Sequence, residues 1–405
     1  SAAPVAAMSW GRRRTLLTAL LVHLAVRLAT LGAVVAAAAV HHGAPGGLGA
    51  RVGAALGKSD GVWYLGIAHH GYGPPPPIGP DGVYTHLTSL AFFPLYPLLV
   101  RAVAVLGVPY LGAALVVTAV AGAAAAVLIA EWARPLAGDA GAVLLVAVWA
   151  VLPSSVVLDM AYSEALFVAA AAGCLLALQR ERWLTAAAAV ILAGLTRPTA
   201  GPLLLALWVA VALHHRHRWR IEADRSARTA DHPPRPVLPR AVVAALLAPV
   251  GLVISLAHVA AVTGRVDGWF WLERTVWRSG FDGGWSALQH YGELFTGGRT
   301  AHRLPEVVSA VAVAAAVALV VVAWRRRLPA APMTYAVAAA ALAVGERGYF
   351  YVKPRLLFVC FPLLVPLSRW LVTVPWRWLA AGAVPVVVAS LAYNAYLLVG
   401  WPKAL

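Results

Sequence analysis

Residues 59–72 read Ser59-Asp60-Gly61-Val62-Trp63-Tyr64-Leu65-Gly66-Ile67-Ala68-His69-His70-Gly71-Tyr72, which sets a carboxylate, two histidines and three aromatic side chains in a chain built mainly of Ala, Val and Leu. Asp60 follows the first long apolar run and is the only acid between Arg51 and Pro80. A carboxylate beside a low-dielectric surface can take a proton from a hydroxyl group, so Asp60 is a candidate general base. For the residue taken alone, a solvated loop aspartate is the plainer alternative.

The composition is that of a chain solvated by lipid. Hydrophobic residues make up 61% and charged residues 12%, and the mean hydropathy is +0.77. The net charge of +16 is typical of nucleic-acid-binding proteins, but the arginines cluster at the ends of apolar runs, as in cytoplasmic loops of membrane proteins. We therefore expect no nucleic-acid partner. Cys174 and Cys360 both lie in apolar runs and are interpreted as small buried hydrophobes, without a disulfide framework or a thiolate metal site.

Apolar runs and the charges between them predict an all-α polytopic membrane protein with a single domain over residues 1–405. The run 183–213 is basic at both ends and interrupted by Arg197-Pro198, which predicts a hairpin of two short helices with Arg197 at its tip. Counting that hairpin as two gives about eleven transmembrane or half-spanning helices. The expected spans lie near 15–40, 110–130, 142–157, 159–178, 183–213, 241–263, 305–324, 331–345, 354–371 and 379–400.

Arginine placement predicts which loops lie on which side. With Arg12-Arg13-Arg14 in the cytoplasm, alternation puts the basic loop 214–240 there too. The long first loop 42–108 and the loop 264–304 are then extracytoplasmic. This topology requires that Phe92–Val108 lies along the membrane surface without crossing it. Every chemically rich segment then reaches the outer face: Asp60 to Tyr72, Asp159 to Glu164, Arg197, 264–304, and Glu346 to Arg355.

Two acids and one arginine lie at the edges of apolar runs. Asp159 and Glu164 are five residues apart and do not share a helical face, so their spacing alone does not imply paired-carboxylate chemistry. A helix-start charge is the plainer interpretation of Glu164. Arg197 lies within an apolar run, where a charge costs about 2.5–3.5 kcal/mol at the helix centre. We therefore expect an acid or a phosphate as the partner of Arg197, and these two acids are the natural candidates.

The segment Glu346–Arg355 carries Arg347, Lys353 and Arg355 among three aromatic residues. Cations that lead into a span suit the phosphate of a membrane-embedded lipid. Interfacial snorkelling is the alternative. Positive residues on the outer face run against the usual charge bias, which favours phosphate binding.

Other aromatic and histidine residues leave their roles open. His69, His70 and Tyr72 can hydrogen-bond a sugar or a phosphate, although packed histidines are commoner, and adjacent histidines point in different directions, which disfavours a shared metal. The loop 264–304 equally fits a sugar-binding groove and a helix lying on the bilayer. Its aromatic residues are Trp269, Phe270, Trp271, Trp277 and Trp285.

The first-loop segment Asp60 to Tyr72, followed by Ala91-Phe92-Phe93-Pro94-Leu95-Tyr96-Pro97-Leu98, resembles the first-loop signature of the PIG-V family of mannosyltransferases. Pro153 with Tyr162-Ser163-Glu164-Ala165-Leu166-Phe167 is similar to the family's second motif, and Thr196-Arg197-Pro198-Thr199 resembles its third. The likeness runs over most of the chain. Ser59 stands where the family usually has Trp, and His69 where an acid is common, so we expect differences in the contacts with the acceptor.

The resemblance implies a GT-C-type glycosyltransferase in a membrane, expected to be the bacterial plasma membrane, with its active site on the extracytoplasmic face. It implies transfer of mannose from a polyprenyl-phosphate-mannose donor to a glycan or glycolipid acceptor, with inversion and with Asp60 as the catalytic base. A phosphate leaving group is already a stable anion that Arg or Lys can neutralise, so no metal and no cofactor is expected. The donor-phosphate candidates are Arg197, Arg347, Lys353 and Arg355. The substrate-binding candidates are Trp63, Tyr64, His69, His70, Tyr72, Tyr162, Ser163 and Glu164.

Other classes of protein share some of these features. A lipid or glycolipid flippase or transporter would also contain a broken span and buried charge. The sequence shows none of the weak internal symmetry that many transporters have, and a carboxylate-bearing aromatic loop suits chemistry better. A lipid-binding scaffold would have no need of Asp60. A GT-C enzyme that uses another polyprenyl-phosphate sugar is a further alternative, because mannose rests on the resemblance alone.

Overall fold

The computed structural model describes residues 11–41, 46–80, 82–226, 239–296 and 304–403, and these are mostly helical. One short antiparallel ladder pairs strand β1 (Gly280–Phe281) with strand β2 (Glu346–Arg347). The helices are α1 (Arg12–Val40), α2 (Leu48–Leu56), α3 (Asp60–His70), α4 (Leu95–Ala104), α5 (Tyr110–Ala150), α6 (Glu164–Gln179), α7 (Trp183–Thr196), α8 (Gly201–Ser226), α9 (Arg240–Leu247), α10 (Val250–Thr263), α11 (Gly268–Thr275), α12 (Trp285–Thr296), α13 (Leu304–Arg325), α14 (Ala330–Gly345), α15 (Lys353–Leu357), α16 (Val365–Leu371) and α17 (Trp376–Ala395), which continues as a π-helical turn over Tyr396–Gly400.

The part of the chain that the structure describes contains six helical stretches long and apolar enough to cross a membrane. A seventh is formed if the bent pair Phe350–Leu357 and Phe361–Leu371 counts as one span. Four shorter apolar helices have 10–17 residues. Without Leu95–Ala104, and with Tyr110–Ala150 counted as two helices that meet at Gly138, the described residues have about eleven spanning or half-spanning helical segments, as expected. The chain is therefore an all-α, multi-span membrane protein.

Helix α5 lies at the centre, packed between α1, α6 and α16. Small residues allow close helix packing, as is usual where lipid provides no hydrophobic drive for association. One close crossing joins α7 to α10, where any side chain on Gly194 or Gly251 would overlap the backbone of the other helix. The Ser255 hydroxyl donates a 3.1 Å hydrogen bond to the Gly194 carbonyl at the same crossing.

The predicted spans 142–157 and 159–178 are wrong at the boundary where they meet. Helix α5 ends at Ala150 and α6 begins at Glu164, so residues 151–163 form an irregular buried connection. Ser154 adopts a left-handed conformation with φ 66° directly after Pro153, which prevents a helix from continuing. The apolar side chains of this connection, which read as part of a span, instead pack among the helices.

Several expected spans are broken in ways that the sequence pattern did not predict. Helix α5 covers the expected span 110–130 and the first half of 142–157, and its two halves meet at a kink at Gly138, which has a non-helical conformation. The expected span 241–263 is two helices that meet at Pro249, and the expected span 354–371 is bent by 76°. At each break, Pro or Gly interrupts the hydrogen-bond ladder within an apolar run.

The break predicted at Arg197 is present. Helix α7 ends at Thr196, Arg197 is extended, and a 3-10 turn over Pro198–Ala200 leads into α8. Helix α8 passes the expected end at 213 and continues to Ser226. Of the predicted loop 214–240, residues 227–238 lie outside the described part, as do 297–303 of the loop 264–304.

Helix α4 accounts for the segment Phe92–Val108. Its ten residues give a length of about 15 Å, which is too short to cross a hydrocarbon core of about 30 Å. The segment therefore does not span, and its position along the membrane surface stays a prediction.

Arginines gather at one end of the bundle. Glu131 is nearly buried and accepts hydrogen bonds from Arg12, at 2.9 Å, and from Arg180. Arg134 binds Asp139 at 2.7 Å beside the break in α5. These contacts join the start of α1, the middle of α5 and the end of α6. Asp60 and the β1–β2 ladder lie at the other end, reached by the return of α14 from residue 330 to residue 345.

Candidate active site

A tight turn positions Asp60 at the first residue of α3. The Gly61 N–H donates to the Lys58 carbonyl at 3.1 Å, and Ser59 has φ 58° and ψ −122°. Those angles belong to the first central position of a type II′ turn, which normally requires glycine. Strained backbone of this kind persists where the surrounding structure holds it, often next to functional residues. The Lys58 side chain donates to the Leu397 carbonyl at 3.1 Å, and burial lowers the pKa of its ammonium group to about 8.

The irregular connection before α6 packs directly on this turn. The Ala161 N–H donates to the Leu56 carbonyl at 3.0 Å, and the space beside Gly61 is filled by Ala161. The Asp60 N–H donates to the Tyr162 hydroxyl at 3.3 Å. Two segments that the sequence analysis treated as separate motifs therefore form one surface.

Arg355 joins the acids of the two segments. Its guanidinium donates to Asp60 through Nη2 and to Glu164 through Nε. Arg197 binds the same Glu164 oxygen at 2.7 Å, so one buried carboxylate holds two guanidinium groups. The Glu164 side chain is 1% exposed. Burial of a charge is tolerated only where a partner compensates it, and here each charge has one.

Asp60 is the most accessible member of this four-residue network. Its side chain is 24% exposed, against 7% for Arg355 and 13% for Arg197. A reactant arriving from outside would therefore meet Asp60 first. The expected pairing of Arg197 with an acid is confirmed for Glu164. Asp159 is instead paired with Arg27.

A second group of polar residues lies beside the network. Lys353, with a side chain 2% exposed, donates to the Glu346 backbone carbonyl and lies 3.4 Å from its carboxylate. The Ser279 hydroxyl donates to the other Glu346 oxygen at 3.2 Å. Burial, and then repulsion by Glu346 and Asp60, raises the pKa of Glu273 in α11 to about 7. Glu273 was absent from the sequence-based candidates, because nothing in an aromatic surface segment distinguishes an acid that folding will half-bury.

An aromatic wall borders Asp60 on the α3 side. Trp63 stacks on Phe92 with ring centres 6.0 Å apart, and the edge of Trp277 meets Trp63 at 5.6 Å. Tyr64 is buried behind this wall, where its hydroxyl lies 2.7 Å from the Ser163 hydroxyl. Burial raises the pKa of Tyr64 to about 12, so it stays neutral.

The loop from α11 onwards divides its aromatic residues between packing and exposure. Trp269 donates its ring N–H to the Ala91 carbonyl at 3.2 Å, and Trp271 meets the edge of Tyr84. Phe270 and Trp285 are exposed by 53% and 62%. The loop 264–304 therefore packs on the first loop through some of its aromatic residues and exposes others as an apolar face.

Several predicted residues lie away from Asp60. His69 and His70 contact each other at the far end of α3, about 14 Å along the helix axis from Asp60, and both are exposed. The Tyr72 hydroxyl donates to the Phe92 carbonyl at 2.7 Å. Arg347 is exposed on β2. Substrate contacts by these residues stay predictions.

The pair of Arg27 and Asp159 is the main structural feature that the sequence analysis missed. Arg27 lies in the middle of α1 and binds Asp159 at 2.9 Å and the Ser155 carbonyl at 2.6 Å. It also donates to the Ala150 carbonyl, where α5 ends. One guanidinium therefore fixes the connection that carries Tyr162, Ser163 and Glu164. The signal was available, because a charge within the first apolar run carries the same insertion cost as Arg197.

The described residues include no group of three or more His, Cys, Asp and Glu side chains arranged to hold a metal ion. Guanidinium and ammonium groups, each already bound to a carboxylate, lie where an anion could also contact them, and Asp60 offers a partly exposed carboxylate to a hydroxyl.

Comparison with known proteins gives distant structural similarity. No protein-family model and no curated protein matches the chain. Crystal structures of the Archaeoglobus fulgidus oligosaccharyltransferase are similar to it, one in complex with Zn and sulfate and one tethered with an acceptor peptide containing the NVT sequon via a disulfide bond. Both have 14% sequence identity and a TM-score of 0.44, and the matches cover 94% and 93% of this chain and 52% and 54% of theirs. The chain thus spans about half the length of these structures. Similarity this distant does not assign a function.

Proposed function

We propose that the chain is a GT-C-type glycosyltransferase that moves mannose from a polyprenyl-phosphate-mannose donor to a hydroxyl of a glycan or glycolipid acceptor on the extracytoplasmic face. The observation that carries this proposal is the partly exposed Asp60 carboxylate, oriented by Arg355 at the edge of an otherwise buried charge network. The motifs that resemble those of PIG-V mannosyltransferases supply the choice of sugar.

In the proposed reaction, Asp60 takes the proton of the acceptor hydroxyl. At the same time the hydroxyl oxygen of the acceptor forms a bond to the anomeric carbon of mannose. The bond between that carbon and the phosphate oxygen breaks, and polyprenyl phosphate leaves with the electron pair. Attack from the face opposite the phosphate inverts the anomeric carbon. General-base catalysis of this kind contributes typically about 10²- to 10⁴-fold to the rate.

Cations near Asp60 suit the departing phosphate. Arg197, Lys353 and Arg355 are the candidates in this part of the site, and Arg347, which is exposed on β2, remains a fourth candidate. Arg355 already binds two carboxylates, so orientation of Asp60 is a second role for the same side chain. Charge stabilisation by groups already in position is commonly a large contribution to catalysis.

An apolar cavity of about 460 Å³ starts beside these cations and suits the polyprenyl chain. Pro354, which stands between Lys353 and Arg355 in the sequence, lines the cavity next to these two cations. The cavity then follows α13 from Val307 to Leu319, a distance of about 18 Å along the helix. Its lining is almost wholly aliphatic or aromatic.

The aromatic wall of Trp63, Phe92 and Trp277 suits the acceptor, because aromatic faces pack against the apolar faces of sugars. Its position beside α3 leaves Asp60 between this wall and the cationic side formed by Arg355.

The test is incubation of purified full-length protein with radiolabelled polyprenyl-phosphate-mannose and a panel of glycan and glycolipid acceptors. We expect mannosyl transfer, at least 100-fold slower in Asp60→Asn because the amide cannot accept the proton. Asp267→Asn is the matched control, since it removes a 46% exposed carboxylate from the loop 264–304 and should leave the rate unchanged.

Three results would count against the proposal. Folded protein that neither transfers sugar nor hydrolyses the donor supports a transporter or a scaffold. Transfer from polyprenyl-phosphate-glucose, with none from the mannose donor, would mean that the proposed sugar is wrong and the proposed reaction is right. Full activity of Asp60→Asn would remove this residue from the mechanism.

A further inference from the structure

A cavity of about 300 Å³ opens at the arginine-rich end of the bundle, far from Asp60. It lies between α5 at Pro135, the turn from α13 to α14, and α16. Its lining combines three arginines with apolar residues: Arg326, Arg327, Arg369, Pro135, Leu136, Leu328, Pro329, Val365 and Pro366.

The three arginines differ from three others at this end that are held in ion pairs. Arg12, Arg134 and Arg180 are all bound to Glu131 or Asp139. In contrast, Arg326, Arg327 and Arg369 make no ion pair or side-chain hydrogen bond with any residue that the structure describes. Three like charges around one cavity repel one another, and an anion within it would relieve that repulsion.

The backbone adds to this positive potential. Helix α14 begins directly after Pro329, so its N-terminal end, which carries partial positive charge, faces the same turn. Arg327 has φ 54°, a left-handed conformation that is uncommon outside glycine. The turn is therefore held in one specific shape next to the cavity.

The cavity lies at the depth where lipid headgroups are expected. Exposed tryptophans mark a membrane–water interface, because their amphipathic rings prefer the headgroup level. Four surround this end of α13, α16 and α17, each at least 60% exposed: Trp324, Trp370, Trp376 and Trp378. Leu136, Leu328 and Val365 provide the apolar side that an acyl chain would contact.

We infer that this cavity binds the phosphate of an anionic phospholipid, with Arg326, Arg327 and Arg369 on the headgroup and the apolar lining against the glycerol and upper acyl carbons. Basic cavities between membrane helices recognise anionic headgroups in this way. The site is separate from the Asp60 network and does not depend on the proposed transferase activity.

The test uses purified full-length protein in a neutral detergent. Thermal unfolding is followed while dioleoylphosphatidylglycerol, dioleoylphosphatidylcholine or inorganic phosphate is added in separate arms. We expect the phosphatidylglycerol alone to raise the unfolding temperature, since a ligand that binds only the folded state stabilises it. In the double variant Arg326→Gln/Arg369→Gln, the half-saturating lipid concentration should rise about fivefold for each arginine removed.

Arg377→Gln is the matched control, because Arg377 is exposed at the same end but does not line the cavity. It should respond to phosphatidylglycerol as the wild-type protein does. The inference is overturned by an equal response to phosphatidylcholine, by the same stabilisation with inorganic phosphate alone, or by an unchanged response of the double variant. If the double variant does not fold, Arg369→Gln alone is measured against the same control, with a fivefold loss expected.

Discussion

Arg355 and Tyr162 are stacked, with the guanidinium carbon 4.6 Å from the centre of the tyrosine ring. The hydroxyl of the same tyrosine accepts the backbone N–H of Asp60 at 3.3 Å. One side chain thus supports both ends of the ion pair between Arg355 and Asp60. The orientation of the Asp60 carboxylate therefore depends on Tyr162, whose hydroxyl contacts only the backbone N–H of Asp60.

We predict a graded response at Tyr162. Tyr162→Phe keeps the ring under Arg355 and loses a single hydrogen bond worth about 0.5–1.5 kcal/mol, so transfer should slow by roughly two- to tenfold. Tyr162→Leu also loses the cation–π contact, and we expect at least a further tenfold loss. Initial rates of mannosyl transfer measure both effects, with Tyr110→Phe as the control. Equal rates for the Phe and Leu variants would mean that the ring does not support Arg355.

The contacts of the network were predictable to different degrees. Glu164 and Arg197 were expected to pair because a charge inside an apolar run needs a partner. Arg27 carried the same signal, but Asp159, its partner, was expected together with Glu164 as a candidate partner of Arg197. Sequence gives the cost of burying each charge, whereas the choice among partners depends on which helices pack together, and that is a tertiary property.

We predict that Arg27 and Asp159 are strongly coupled. Their side chains are 9% and 10% exposed, and removal of one partner from a buried pair costs about 3–5 kcal/mol. Arg27→Met should therefore destabilise the protein by about that amount. The double variant Arg27→Met/Asp159→Leu should recover part of the loss, because no uncompensated carboxylate remains. Thermal unfolding of the single and double variants in detergent gives the coupling. Strictly additive losses would show that the pair is not a unit.

We predict that Glu273 makes stability depend on pH in a specific direction. Its pKa is raised to about 7 in the folded protein from an ordinary value of 4.5. The folded state binds this proton more tightly, so the stabilising contribution is complete below pH 4.5 and is lost as the pH rises towards 7. The unfolding temperature of wild type relative to Glu273→Gln should therefore fall over that range.

Glu181→Gln is the control for this effect, because Glu181 is 70% exposed and lies at the other end of the bundle. The difference in unfolding temperature between wild type and Glu181→Gln should stay constant across this pH range. A flat difference between wild type and Glu273→Gln would mean that Glu273 ionises as an ordinary carboxylate.

We predict that Ser59→Gly stabilises the protein by about 1–2 kcal/mol, because glycine adopts φ 58° and ψ −122° without strain. Ser59→Val should destabilise it, since a β-branched residue is least tolerant of positive φ. Ser286→Gly, in the first turn of α12, is the control and should cost less than about 1 kcal/mol. Thermal unfolding measures all three. A loss of stability in Ser59→Gly would show that the serine side chain contributes more than the strain removes.

The fold was predictable in its number of helices and much less so in its breaks. Long apolar runs identify helices because the backbone must satisfy its own hydrogen bonds in lipid. The same rule does not separate a span from the buried connection 151–163, since both are apolar. The connection is marked by the left-handed backbone of Ser154, and a serine in the sequence gives no signal for that conformation.

The ladder between β1 and β2 has a kinetic consequence. It pairs Phe281 with Glu346, and the Phe281 ring fills the space where a side chain on Gly345 would lie, so the two strands cannot slide past each other. Glu346 in turn holds Lys353. A movement that lifts Trp277 from Trp63 therefore also pulls on the cation beside Arg355. In the proposed function Trp277 borders the acceptor and Lys353 is a candidate for the donor phosphate, so we expect binding of one substrate to change the affinity for the other.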